Sequence, residues 1–134
     1  MRTESITVHA THMDIRQPSA HLRALLYAND IAADMIDGCE LALHEHLVNL
    51  VDHAYEGDGN KLITVTITCN SNTIKIETQD TGKPLTGKLD EMRMPDPSEL
   101  AEGGYGMAII QTLMDEVKYK ADHGTNIWIL IKNI

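Results

Sequence analysis

Glu45, Asn49 and His53 recur at intervals of four along one stretch of the chain. Side chains one turn apart share a side of a helix, so the carboxylate and the carboxamide can line one surface there. The carboxylate can bind water or take a proton as a general base. The neutral carboxamide oxygen suits a hard cation such as magnesium. Asp80-Thr81-Gly82 follows an alternating segment, which places an acid where the chain leaves a sheet. Such an acid accepts a hydrogen bond from a ligand or caps a turn. Gly103-Gly104-Tyr105-Gly106 directly precedes the apolar run Met107–Leu113, and glycine backbone at a helix start offers N–H groups to an anion. Gly124-Thr125 comes last. No Gly-Lys-Ser/Thr follows the glycines, so the loop is not the P-loop pattern. Taken in order, these four signals outline one nucleotide pocket.

The elements that must position them can be read from periodicity. Glu4 to His12 alternates and predicts a half-buried strand. Pro18 leads into a short helix over His21–Ala28, with Leu22, Leu25 and Leu26 on one side. A long helix, capped by Asp34 or Asp37, is expected to run to about Tyr55, where Gly57-Asp58-Gly59-Asn60 breaks it. Leu43, Leu47, Leu50 and Ala54 then form its core face, and Glu45, Asn49 and Asp52 a polar stripe on the opposite side. That stripe is flanked by Leu41, Ala42 and Val48 rather than by further charges, as a ligand-covered surface would be. Leu62–Cys69 and Thr73–Gln79 are β-branched, alternating segments joined by Asn70-Ser71-Asn72, a hairpin signal. Gly82 to Gly104 carries three of the prolines and little periodicity, so it reads as a long, lid-like connection. A helix over Tyr105–Glu116 and a closing hairpin, Val117–Ala121 with Asn126–Ile131, complete the chain. The expected class is α+β: a two-layer αβ sandwich with a mixed, mostly antiparallel sheet and helices on one face.

Composition narrows the function. The 134 residues fit a single domain, 43% apolar, with a net charge of -9 and no Lys/Arg cluster. Nucleic-acid binding needs concentrated positive charge, so direct contact with DNA or RNA is not expected. No apolar run reaches membrane-spanning length, and residues 1–4 lack the apolar stretch of a signal peptide. Cys39 and Cys69 lie within apolar patterns without metal spacing and read as reduced, buried thiols of a cytoplasmic protein. His44 and His46 project to opposite sides of their helix and cannot share a metal, so they read as solvated or partly buried. Met92 and Met94 read as packing residues with a partner surface as the alternative, and Trp128 as core.

The four segments resemble the N box, the glycine boxes and the terminal Thr of the GHKL ATPases, the Bergerat ATP-binding fold. The carrying residues are Glu45-x-x-x-Asn49-x-x-x-His53-Ala54-Tyr55, Asp80-Thr81-Gly82-Lys83-Pro84-Leu85, Gly103-Gly104-Tyr105-Gly106-Met107 and Gly124-Thr125-Asn126. Within that superfamily the chain most resembles the anti-sigma-factor serine/threonine kinases, over essentially its whole length. Pro84, where many other superfamily members have glycine, favours that branch. The resemblance implies ATP and magnesium as cofactors. It makes Glu45 the base for a substrate serine, Asn49 the magnesium ligand, and Asp80 the acceptor for the adenine amino group. Gly82 would give the base room, and Thr125 would support it. Gly104 and Gly106, with Met107, would bring backbone to the phosphates beneath a lid over about 83–103. His53 would orient Asn49 or a phosphate, with a structural hydrogen bond as the alternative.

The implied activity is phosphorylation of a serine on a STAS-domain anti-anti-sigma protein in a partner-switching circuit. A sigma factor is a further implied partner, and a homodimer the implied assembly. Some of these kinases carry a basic residue just before the lid glycines, whereas Ala101-Glu102 stand here. The γ-phosphate contact would then be absent or fall to Lys88 or Arg93. That departure leaves a second reading: a nucleotide-dependent anti-sigma binding module without phosphoryl transfer. A histidine-kinase fragment is disfavoured by the absence of a phospho-acceptor helix.

Overall fold

Among the described residues, alternating β-branched and polar residues build five strands: β1 (Arg2–His9), β2 (Leu62–Cys69), β3 (Thr73–Asp80), β4 (Glu116–Asp122) and β5 (Thr125–Asn133). The structure, a computed structural model, describes residues 1–54, 60–82 and 106–134. The strands form one sheet in the order β1-β2-β3-β5-β4. Among the described residues all four pairings are antiparallel, so the expected mostly antiparallel sheet is antiparallel throughout.

Among the described residues three α-helices lie against this sheet: α1 (Arg16–Ala28), α2 (Ala33–Asn49) and α3 (Gly106–Leu113). Leu22 and Leu26 of α1, Leu43 and Leu47 of α2 and Ile110 of α3 are fully buried, as are Ile63, Val65, Ile67, Ile74, Ile76 and Leu130 of the sheet. Each such side chain stabilises the fold by roughly 1.5–3 kcal/mol. The protein is therefore an α+β two-layer sandwich with one core. The sheet's other face is polar toward β1, where Thr3, Ser5 and Thr7 meet Thr68, Thr66 and Thr64 in a row of exposed hydroxyl pairs at 2.9 to 3.3 Å.

Several boundaries differ from the sequence reading, each for a local reason. β1 begins earlier than Glu4 and ends at His9, because Ala10 N already bonds Lys61 O beyond the ladder and Thr11 Oγ1 takes Asp14 N into a turn. α1 begins at Arg16, not His21. Pro18 falls within its first turn, where a missing N–H removes no helical bond. Neither Asp34 nor Asp37 caps α2: the cap position is Ala32, with no side-chain hydrogen bond. Asp34 instead sits in the first turn, favourable to the helix dipole. Asp37 pairs with Arg23 of α1, which also bonds Glu40 at 2.6 Å.

The long helix also changes pitch. After Asn49 it continues as a π-helical turn over Leu50–Ala54. α3 ends at Leu113 rather than Glu116, since Asp115 N is drawn to Ile131 O at 2.8 Å and the chain enters β4. Cys39 and Cys69 are buried free thiols, as expected. Burial pushes the Cys39 thiol up to about 11.

Candidate nucleotide site

α2 and α3 run side by side in opposite directions: Gly38 faces Leu113 near one end and Gly106 faces Asn49 at the other. A Cβ on Gly106 would lie 2.8 Å from both Oδ1 and Nδ2 of Asn49. Only glycine lets the first turn of α3 close on that carboxamide. Two signals 57 residues apart, the helix stripe and the glycine loop, are thereby joined at one point. Glu45 stands one turn before Asn49, and both are half-buried. The π-helical turn begins at the residue after Asn49. Such turns shift the phase of all later side chains and are frequent at functional sites. Asp52, placed on the stripe by regular pitch, is exposed and lies 2.9 Å from Nε2 of His12.

A second cluster forms where β3 leaves the sheet. Asp80 is 2% exposed, and two N–H donors converge on its Oδ1. They are Gly82 N and Asn126 Nδ2, each at 2.9 Å. Asn126 lies directly across from Asp80 in the β3–β5 register. Its Nδ2 also donates to Gly82 O at 2.9 Å, and Tyr119 Oη lies 2.7 Å from its Oδ1. A carboxylate held by N–H donors is an acceptor for an exocyclic amine, which fits the adenine end of a nucleotide.

His46 connects the two clusters. Its ring is 1% exposed and bonds Thr78 Oγ1 at 2.7 Å, fixing α2 over the strand that ends in Asp80. Trp128 packs against both His46 and Tyr119 with tilted rings, the centroids 5.2 Å and 4.6 Å away. Burial holds the His46 imidazole neutral, lowering it to about 3. His46 is thus a core residue, not a solvated or partly buried one, while its divergence from His44 stands. Leu43, His46 and Leu50 share the spacing of one helix face, the signal that could have placed it inside.

Thr125 is half-buried, opposite Asp122, and alternation sends its neighbour Asn126 to the helix side of the sheet. Sequence reasoning places Asn126 in the closing motif but assigns it no role, because a lone Asn beside a motif Thr carries no periodic signal. Gly106 and Met107 open α3. Gly104, the side chain of His53, the lid over 83–103 and its Lys88, Arg93, Met92 and Met94 lie outside the described residues. Among the described residues no helix is long and apolar enough to cross a membrane.

The fold is an α+β two-layer sandwich in which a helix carboxamide closes on a glycine helix start and a buried acid ends a strand of the sheet. A family model for the histidine kinase-like ATPase domain matches residues 8–132. The chain belongs to that family, the GHKL ATPases. Among curated relatives, a serine-protein kinase RsbW of Listeria monocytogenes is 31% identical over 100 residues, covering 70% of this chain and 64% of the relative. An anti-sigma F factor of Anoxybacillus flavithermus is 26% identical over 106 residues, covering 75% of this chain and 72% of its own. The chain thus spans under two-thirds of the length of the first of these.

Among solved structures, that of the RsbU and RsbW domains of a Mycobacterium tuberculosis protein superposes with a TM-score of 0.71 at 20% identity, covering 98% of this chain and 32% of that one. The SiaB–SiaC complex of Pseudomonas aeruginosa gives 0.63 at 14% identity, covering 98% and 89%. At such identities these two speak for the fold alone.

Proposed function

We propose that residues 1–134 form one ATP- and magnesium-dependent protein-serine kinase domain that acts as an anti-sigma factor in a partner-switching circuit. The observation that carries this reading is the closure of Asn49 on Gly106 with Glu45 one turn away. Bound ATP supplies the phosphoryl group. Asn49 would hold the magnesium, with Gly104, Gly106 and Met107 at the phosphates, His53 orienting Asn49 or a phosphate, and Thr125 beside the base. Glu45 takes the proton of the acceptor serine hydroxyl, and Asp80 accepts from the adenine amino group while Gly82 leaves room for the ring. The acceptor is a serine of a STAS-type anti-anti-sigma protein, a sigma factor is a second partner, and the working form is a cytoplasmic homodimer. The names of the relatives, a serine-protein kinase and an anti-sigma F factor, support this assignment.

The test is incubation with labelled ATP, magnesium and the STAS-type protein, with its acceptor serine changed to alanine as control. Glu45→Ala should leave ATP affinity within a few-fold and abolish transfer; transfer that survived it would remove Glu45 as the base. Glu102, standing where a basic residue would meet the γ-phosphate, favours the second reading of a binding module without transfer. ATP-dependent binding of the partner with no label on it would establish that reading instead.

A further inference from the structure

Three contacts orient the Asn126 amide. Nδ2 faces two acceptors, Asp80 Oδ1 and Gly82 O, both at 2.9 Å. Reversal of the amide would set its oxygen against both of them. Oδ1 must then accept, and Tyr119 Oη at 2.7 Å is the hydroxyl that donates to it. Tyr119 is itself fixed by its ring contact with Trp128 at 4.6 Å. The chain Trp128–Tyr119–Asn126–Asp80 therefore transmits one orientation, from the sheet into the carboxylate.

We propose that Asn126, oriented by Tyr119, is a positioning residue that sets the preference of the Asp80 site for adenine over guanine. This rests on the reading of Asp80 as the acceptor for the base. With Asn126 Nδ2 and Gly82 N both donating to Oδ1, the carboxylate plane is fixed, and so is the direction in which it accepts from the exocyclic amine. Adenine presents a donor there and guanine a carbonyl oxygen, so a fixed acceptor attracts one and repels the other. A carboxylate free to rotate would discriminate less. Because the same amide donates to Gly82 O, it also holds Gly82 against the sheet.

The experiment measures dissociation constants for ADP and GDP without magnesium, by competition against a fluorescent ADP analogue, which leaves the metal and the transfer step out. Asn126→Asp keeps the size but replaces the donor with an acceptor. It should weaken ADP roughly ten-fold or more, as loss of a hydrogen bond to a charged group does, and narrow the ADP:GDP ratio. Tyr119→Phe removes only the hydroxyl and should narrow the ratio by a smaller factor with the fold retained, so it carries the test if Asn126→Asp does not fold. Asp80→Asn separates the two ideas. If it collapses the ratio while folded Asn126 and Tyr119 variants keep it, the positioning role is overturned and the Asp80 reading stands. If Asp80→Asn itself leaves the ratio intact, the Asp80 reading falls and the positioning role with it.

Discussion

A methyl group on Gly106 would meet both polar ends of the Asn49 side chain at 2.8 Å. The obstacle is the tip of a rotatable side chain, so Gly106→Ala should leave the fold intact. What moves is the carboxamide. The expected outcome is a split: thermal stability unchanged, and affinity for magnesium–ADP reduced roughly ten-fold, as when a group supporting a metal ligand is disturbed. Titration calorimetry with and without magnesium reads it, and an unchanged metal-dependent increment would detach Asn49 from the cation.

His46 gives a second residue-scale outcome. Its folded value, lowered to about 3, lies below the ordinary histidine value, so the unfolded chain takes up the proton first as pH falls. The contribution is fully present above about pH 6.5 and declines by roughly 1.4 kcal/mol per pH unit below it, until the folded value is reached. Denaturant midpoints between pH 7 and 4 should therefore fall less steeply in His46→Gln than in the parent. Parallel slopes would contradict a buried neutral imidazole.

At the scale of elements, the β4–β5 hairpin sets the register on which the base site depends. Its two-residue loop has His123 at φ 50 and Gly124 at φ 82, both in the left-handed region. This is the geometry of the tight hairpin turns that match strand twist. Gly124→Ala meets no steric obstacle, so its cost is conformational alone: about 1 kcal/mol, read from denaturant midpoints. His123→Asn, a residue that tolerates positive φ, should stabilise slightly. A one-residue slip here would turn Asn126 away from Asp80 and bring Thr125 and Ile127 to the helix side.

Much of this was legible: the alternation of Leu62–Cys69 and Thr73–Gln79 with Asn70 between them predicts the central hairpin nearly to the residue. The Glu45–Asn49 stripe was legible because both lie before the pitch changes. Asp52 was not, since a regular repeat contains no sign of a π-helical turn, and its placement depends on how α2 meets the rest of the fold. Asn126 and Tyr119 were also illegible, because their roles arise from pairing between strands distant in sequence.

For the whole molecule, the two half-sites lie on different layers: Glu45 and Asn49 on the helical layer, Asp80 and Asn126 on the sheet. His46 and Thr78 supply one direct bond between them. A ligand that touches both layers binds the folded chain alone and must stabilise it as a unit. At a hundred times its dissociation constant a ligand adds about 2.7 kcal/mol. For a 134-residue chain that corresponds to a rise in melting temperature on the order of 10 °C. Trp128, the single tryptophan, sits beside His46 and Tyr119 and reports the transition by its fluorescence. ATP with magnesium should give the full rise, ADP alone a smaller one, and GTP little. Glu45→Ala, which removes a proton acceptor and no contact with the nucleotide, should keep the ATP rise, whereas Asp80→Asn should lose most of it. Equal rises with ATP and GTP in the unaltered protein would mean that the sheet layer does not read the base, leaving the helical layer to bind phosphates alone.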